Sequence, residues 1–126
     1  MNFYPTPVVS LIAIKKYNIM WKNLENLKQL DQIIEDSKNK EIAIFKHSTR
    51  CGISSMVKRS FEAELKSKTD LESDVYYLDL IQFRDISNQI ASKFDVAHQS
   101  PQLIIIKDGV VTYNASHSSI NAEKIN

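Results

Sequence analysis

Cys51 is the residue with the clearest chemistry, and it is the only cysteine in the chain. An apolar run at residues 42–45 precedes it, and apolar residues at helical spacing follow it, namely Ile53, Met56, Val57, Phe61 and Leu65. This pattern predicts a strand that leads into a helix, with the thiol where the helix begins. The free N–H groups and the dipole of a helix N-terminus stabilise a thiolate, and Arg50 adds positive charge beside the sulfur. We therefore predict a reactive cysteine rather than a buried, inert one.

Three histidines could bind a metal together with Cys51, namely His47, His98 and His117. Their spacings from the cysteine match no zinc-binding pattern, so we predict no metal site. A single cysteine also cannot form an intramolecular disulfide. The sequence therefore excludes a secreted disulfide scaffold and indicates a cytoplasmic protein.

The length and composition are those of one ordinary globular domain. The chain has 126 residues, of which 43% are hydrophobic and 25% are charged. Its net charge of +1 gives no field that would recruit nucleic acid or an anionic membrane. Residues 1–19 contain no acidic residue and fit neither a signal peptide nor a membrane span. We expect natural translation to start at Met20, with residues 1–19 as a mis-assigned extension and residues 20–126 as the domain.

Periodicity and turn residues predict the elements that position these side chains. Apolar residues at every third or fourth position predict helices over residues 20–37, 52–66 and 83–94. Apolar or β-branched runs predict strands over residues 41–46, 75–81, 102–107 and 110–115. The strand–helix–strand order predicts parallel pairing, and Asp108-Gly109 predicts an antiparallel hairpin. We therefore predict an α/β domain with a mixed four-stranded sheet flanked by helices, and a final short helix from about residue 119.

This order of elements, with a cysteine at the first strand-to-helix junction, resembles the thioredoxin superfamily. In that fold a loop with a cis-proline faces the active cysteine across the site, and Ser100-Pro101 stands at the corresponding place. The resemblance implies a thioredoxin-like fold and a cis peptide bond before Pro101.

Several short stretches narrow the resemblance to the monothiol bacilliredoxin family, whose members are often catalogued as general stress proteins. They are Ser-Thr-Arg-Cys-Gly-Ile-Ser at residues 48–54, His-Gln-Ser-Pro-Gln at 98–102, Ile-Lys-Asp-Gly at 106–109 and Ala-Ser-His at 115–117. The resemblance covers residues 20–126. It departs at Gly52, where the family usually has proline, and glycine leaves the loop more flexible with its N–H available.

The resemblance implies a thiol–disulfide oxidoreductase that removes bacillithiol from mixed disulfides on cytoplasmic proteins. Bacillithiol is then a co-substrate, with no tightly bound cofactor, and the partners are this low-molecular-weight thiol and thiolated proteins. We expect a monomer that binds neither nucleic acid nor a membrane. Because the chain has no second cysteine to resolve a mixed disulfide on Cys51, a second small thiol must do so.

The predicted site has a catalytic set and a substrate-binding set. We assign catalysis to Cys51, Ser54 and Arg50, and substrate binding to Thr49, Gly52, His98, Gln99, Ser100 and Pro101. For His98, a surface or capping role is favoured over a catalytic one. Ser54 stands where a dithiol site has its second cysteine, and its hydroxyl either donates a hydrogen bond to the thiolate or caps the helix. Arg50 favours the thiolate, holds a substrate carboxylate, or is a solvated surface charge.

Two other functions remain open. Cys-Gly-Ile-Ser at residues 51–54 is similar to the Cys-Gly-x-Ser site of monothiol glutaredoxins, which hold an iron–sulfur cluster between two subunits with glutathione. The lysine that those proteins place before the cysteine has no clear match here, although Lys46 lies upstream, and their paired glycines after the last strand are absent. The remaining interpretation is a thioredoxin-fold adaptor in which the cysteine is incidental.

Overall fold

A computed structural model describes residues 21–68 and 71–126, so the prediction of a start at Met20 lies outside the described residues. In chain order the described elements are β1 (Lys22–Asn23), α1 (Leu27–Asp36), β2 (Ile42–His47), α2 (Gly52–Lys66), β3 (Asp74–Asp79), α3 (Arg84–Phe94), β4 (Gln102–Lys107), β5 (Val110–Ser116) and a 3-10 helix (His117–Ser119). None of these helices is long and apolar enough to cross a membrane.

The strands form one mixed sheet in the order β1-β3-β2-β4-β5. Strand β3 pairs in parallel with β1 and β2, whereas β4 pairs antiparallel with β2 and β5. The predicted mixed sheet flanked by helices is confirmed, but it has one strand more than the four expected.

The additional strand is β1, which the periodicity had placed inside a helix over residues 20–37. Helix α1 begins later because Asn26 caps it: its side chain accepts a hydrogen bond from Gln29 N–H at 2.9 Å, and the Gln29 side chain accepts one from Asn26 N–H at 3.1 Å. Before this cap, Leu24 N–H donates to the carbonyl of Tyr77 and continues the pairing with β3. Leu24 is fully buried. It is therefore apolar because it packs in the core beside β1, and not because it lies on the apolar face of a helix.

Helices cover both faces of the sheet, which explains why β2 is buried along its whole length. Ile42 and Ile44 of β2 pack with α1 and α3. Ala43 and Phe45 point to the opposite face, where they pack with α2 and the C-terminal segment. The alternation along one strand therefore divides the core into two clusters.

The C-terminal region contains one confirmed and one incorrect prediction. The hairpin turn falls at Asp108 and Gly109, which both have positive φ (53° and 75°). The helix expected from residue 119 is wrong: the 3-10 helix ends there, and an irregular segment follows. Tertiary contacts fix that segment, because Ile120 and Ile125 are buried and Ala122 N–H donates to the Glu64 carboxylate at 2.9 Å.

Strand directions bring three connections to one edge of the sheet. Lys46 at the end of β2 stands opposite Gln102 at the start of β4, and His47 stands opposite Asp79 at the end of β3. The β2–α2 loop, the start of α3 and the loop before β4 therefore lie at the same edge.

Candidate active site

Cys51 is the residue from which α2 starts. Its backbone is extended (φ −110°, ψ 120°), and its carbonyl accepts a hydrogen bond from Ser55 N–H at 3.1 Å, so Cys51 takes the N-cap position. The N–H groups that follow an N-cap have no partner within the helix. Among the described residues the Cys51 side chain accepts no capping hydrogen bond from them, so these donors stay available. The thiol is half-buried and free. Its position is therefore one where backbone donors and the helix dipole favour an anion.

The loop before Cys51 and the first residues of α2 are open to solvent. The first turn of α2 has no acidic residue. Thr49, Arg50 and Gly52 are exposed, and no heavy atom lies within 4 Å of where a Cβ on Gly52 would be. Within the described parts of the chain, Arg50 forms no ion pair. Its charge is therefore free to act on the sulfur or on a substrate.

Ser54 forms its hydrogen bonds with the end of β2. Its side chain is fully buried; its Oγ lies 2.7 Å from His47 Nδ1 and accepts a hydrogen bond from Ser48 N–H at 3.2 Å. No hydrogen bond joins Ser54 to Cys51 among the residues that the structure describes. Burial and the nearby charge of Lys58 lower the pKa of His47, so this imidazole is neutral at neutral pH. Ser54 thus holds the loop before the cysteine, and its role toward the thiolate stays a prediction.

The loop before β4 contains the cis peptide bond Ser100–Pro101, which the resemblance had implied. The buried side chain of Gln102 holds this loop in place: its Oε1 accepts a hydrogen bond from Gln99 N–H at 3.2 Å, and its Nε2 donates to the carbonyl of Ala97 at 3.1 Å. Ser100 Oγ is buried, and no group in the described residues hydrogen-bonds to it. The loop therefore has a fixed shape and an unused hydroxyl.

Lys46, in β2, has no exposed surface and ends against the same loop. Its Nζ lies 2.7 Å from Nδ1 of His98, and Ser87 Oγ lies 3.3 Å from the same ring nitrogen. Burial lowers the pKa of Lys46 to about 8, so the ammonium form still dominates at neutral pH. Burial and the charge of Lys46 lower the pKa of His98, which is neutral there. Across residues 21–68 and 71–126, no carboxylate forms an ion pair with Lys46.

The predicted site residues fall on two connections at one edge of the sheet. The β2–α2 junction carries Thr49, Arg50, Cys51, Gly52 and Ser54, and the loop before β4 carries His98, Gln99, Ser100 and Pro101. The fold therefore brings the cysteine segment and the proline loop to the same edge.

Sequence reasoning missed the roles of three buried side chains. Lys46 and Gln102 support the proline loop, and His47 holds Ser54. One signal was available: Lys46 and His47 continue an apolar run within a strand buried on both faces. Buried polar groups need partners, so such residues point to a network.

The described residues offer no arrangement for a metal ion of the kind proteins usually build. No group of three or more His, Cys, Asp or Glu side chains is placed to hold one within those residues. Lys46, the upstream lysine considered for a cluster-binding protein, is enclosed and hydrogen-bonded to His98. It is therefore not exposed for glutathione.

Comparisons with known proteins agree with this architecture. Residues 22–125 match the sequence profile of the family described as "Monothiol bacilliredoxin BrxC". A solved structure of a candidate oxidoreductase with a thioredoxin fold is 34% identical, covers 83% of this chain and 89% of its own, and has a TM-score of 0.72.

Two thioredoxins show the same fold at lower identity. The thioredoxin of Malassezia sympodialis is 18% identical, with 79% of this chain and 80% of that chain covered and a TM-score of 0.63. The thioredoxin of Fasciola hepatica is 23% identical, with 76% and 86% covered and a TM-score of 0.59. The thioredoxin-like fold expected from the sequence is confirmed.

Proposed function

Because the chain belongs to the monothiol bacilliredoxin family, which combines a thioredoxin fold with a single cysteine, we propose that it removes bacillithiol from mixed disulfides on cytoplasmic proteins. Its redox role is that of the family, and Cys51 is the nucleophile. We propose that it acts in the cytoplasm as a monomer, with bacillithiol as a co-substrate and with no tightly bound cofactor.

The observation that carries this proposal is the position of Cys51 at the N-cap of α2. The sulfur is free and half-buried, and it lies at the end of a helix of 15 residues whose first turn lacks acidic side chains. A thiolate is both the attacking species in disulfide exchange and the form that a helix N-terminus favours. The geometry therefore supports nucleophilic attack by this residue.

The first step is the attack of the Cys51 thiolate on the bacillithiol sulfur of the mixed disulfide. A disulfide forms between Cys51 and bacillithiol, the old S–S bond breaks, and the substrate cysteine leaves as a thiolate that takes a proton from water. The substrate cysteine is thereby reduced, and Cys51 is oxidised to the mixed disulfide.

The second step regenerates Cys51 and requires another thiol. Ser54, which has no sulfur and is buried against His47, cannot resolve the disulfide. A second bacillithiol therefore attacks the first, which releases the Cys51 thiolate and yields bacillithiol disulfide. Two molecules of the small thiol are thus involved in each complete cycle.

The remaining predicted residues have proposed roles in binding. Arg50, Thr49 and Gly52 line the cysteine side, where they are exposed. On the other side, residues 98–101 approach the same edge of the sheet, and the backbone of Ser100 is the proposed partner for the small thiol.

The proposal is tested with a protein substrate that carries bacillithiol on a single cysteine. Wild type and Cys51→Ala are compared in the rate at which the substrate thiol is released. We expect release only with wild type, because the variant has no sulfur nucleophile. Ser60→Ala, an exposed serine in the same helix, is the matched control and should retain the wild-type rate.

Equal release by wild type and Cys51→Ala would overturn the proposal and favour an adaptor with an incidental cysteine. Anaerobic purification gives a second check. A colourless protein is expected, whereas a brown preparation with iron and labile sulfide bound through thiolate would assign the chain to cluster transfer instead.

A further inference from the structure

The buried ammonium of Lys46 has no countercharge in the described structure. A buried charge is costly unless it is paired and hydrogen-bonded. Lys46 is fully buried, and its one hydrogen-bond partner among the described residues is a neutral imidazole, that of His98. The proposed reaction gives Lys46 no role, and it does not say which atom of His98 contacts the substrate.

The contact fixes which nitrogen of His98 carries the proton. A lysine ammonium has three donors and no acceptor, so Nδ1 of His98 must accept the hydrogen bond at 2.7 Å. The proton of the neutral ring is then on Nε2. His98 is exposed, whereas Lys46 is not. The imidazole therefore presents its Nε2–H donor at the surface, and the buried ammonium on its other nitrogen makes that donor stronger.

The donor lies at the edge where the reaction is proposed to occur. His98 precedes the cis-proline loop, and Lys46 stands opposite Gln102 at the start of β4, beside the end of β2 that leads to Cys51. Arg84, at the start of α3, adds a second positive charge that acts on His98. This side of the site is therefore suited to an anion.

We propose that Nε2–H of His98 binds a carboxylate of the low-molecular-weight thiol, and that Lys46 is a positioning residue that holds His98 in the donor tautomer and strengthens the bond. This inference rests on the proposed function and specifies a feature of its small substrate. The small thiol, when joined to Cys51, crosses the proline loop and places its carboxylate on His98. The bound anion supplies the countercharge that Lys46 lacks.

The test compares two small disulfides of similar length. Dithiodipropionate has a carboxylate on each arm, whereas hydroxyethyl disulfide is uncharged. With wild type, and with the same small thiol present in excess in every assay to regenerate Cys51, we expect a higher kcat/KM for dithiodipropionate. In His98→Phe the preference should fall roughly tenfold, the size expected for the loss of a hydrogen bond to a charged group. The fall should appear mainly in KM.

Lys46→Met tests the positioning role. It removes the ammonium but leaves His98, so we expect the same loss of preference together with a change in the tautomer of His98, observed by the nitrogen chemical shifts of its ring. Lys93→Met is the matched control, because Lys93 is an exposed lysine in α3. This variant should keep the preference for dithiodipropionate and the tautomer of His98.

An unchanged preference in His98→Phe would overturn the proposal. His98→Phe could also change the reaction with protein mixed disulfides while leaving the reaction with the two small disulfides unchanged. That result would assign the carboxylate to the protein partner and would overturn the proposal too. If wild type cleaves neither disulfide, the proposed function fails instead. The proposed carboxylate site on His98 is then tested by titration with propionate. Propionate should shift the Nε2 resonance of His98 in wild type and not in Lys46→Met. No shift in wild type would overturn the carboxylate site.

Discussion

At the scale of single residues, Ser54 shows how this site differs from a dithiol site. The position one helical turn after the cysteine is buried, and its hydroxyl is shared between His47 Nδ1 and Ser48 N–H. A serine there contributes no redox chemistry. It instead connects the helix to the end of β2, so it should matter for stability as well as for the site.

Replacing Ser54 with alanine should lower the free energy of unfolding by about 1–3 kcal/mol, because the substitution leaves a buried ring nitrogen and a backbone N–H without their partner. Urea denaturation followed by the fluorescence of Trp21 measures the change.

Ser60→Ala provides the comparison for this measurement, because Ser60 is exposed in the same helix. Alanine has the higher helix propensity, so this variant should be neutral or slightly more stable. A Ser54→Ala protein that is as stable as Ser60→Ala would mean that the bonds to His47 and Ser48 contribute nothing.

Local signals placed Cys51 before a helix and Pro101 before a strand, and both placements are confirmed, whereas the cis bond at Pro101 was expected only from the resemblance. Local signals were not enough for Lys46. Its partner His98 is 52 positions away, and the contact depends on the pairing of β2 with β4. Long-range hydrogen bonds of this kind follow from the fold and leave no spacing in the sequence.

At the scale of elements, most of the sheet and all three helices could be predicted, since β2 and β4 are continuous apolar runs and the helices have one apolar face. The exception is the N-terminal strand. Trp21 and Leu24 fit a helical period, but the capping box at Asn26 starts α1 later. Two paired residues, Lys22 and Asn23, are too few to show an alternation.

Gly52 is the first residue of α2, a position at which proline fits a helix. Gly52→Pro should raise the free energy of unfolding by about 0.4–1 kcal/mol, because proline restricts the unfolded chain at a position it fits. A Cβ there meets nothing within 4 Å, and Cys51 already has the extended backbone that precedes proline. Thermal and urea unfolding both measure the effect.

Gly109→Ala is the contrasting variant. Gly109 has φ of +75° in the hairpin turn, so alanine is strained there and should destabilise the protein by roughly 1 kcal/mol. A destabilised Gly52→Pro protein would contradict the N-cap geometry described for Cys51.

At the scale of the whole molecule, the burial of Lys46 makes stability depend on pH. Burial lowers the pKa of Lys46 to about 8 from its ordinary value of 10.5. Between these two pH values the unfolded chain binds a proton that the folded protein lacks, so the free energy of unfolding should rise with pH. We expect a rise on the order of 2 kcal/mol, after a discount for solvent near the sheet edge.

The measurement is the difference in the free energy of unfolding between wild type and Lys46→Met, obtained by urea denaturation between pH values of about 8 and 10.5. Burial raises the pKa of Tyr76 and Tyr77, which opposes the rise at the alkaline end but cancels in the difference. Lys93→Met should keep the wild-type dependence. A Lys46→Met protein with the same pH dependence as wild type would show that Lys46 ionises as an ordinary exposed lysine.

In the proposed cycle, Cys51 takes the small thiol from a modified protein and keeps it until a second thiol arrives. The most direct measurement is the intact mass of both proteins after a single turnover, with a bacillithiolated substrate, reduced enzyme and no free thiol. We expect the substrate to lose the bacillithiol mass and this protein to gain it on Cys51. A covalent complex between the two proteins, or a substrate that keeps its adduct, would contradict it.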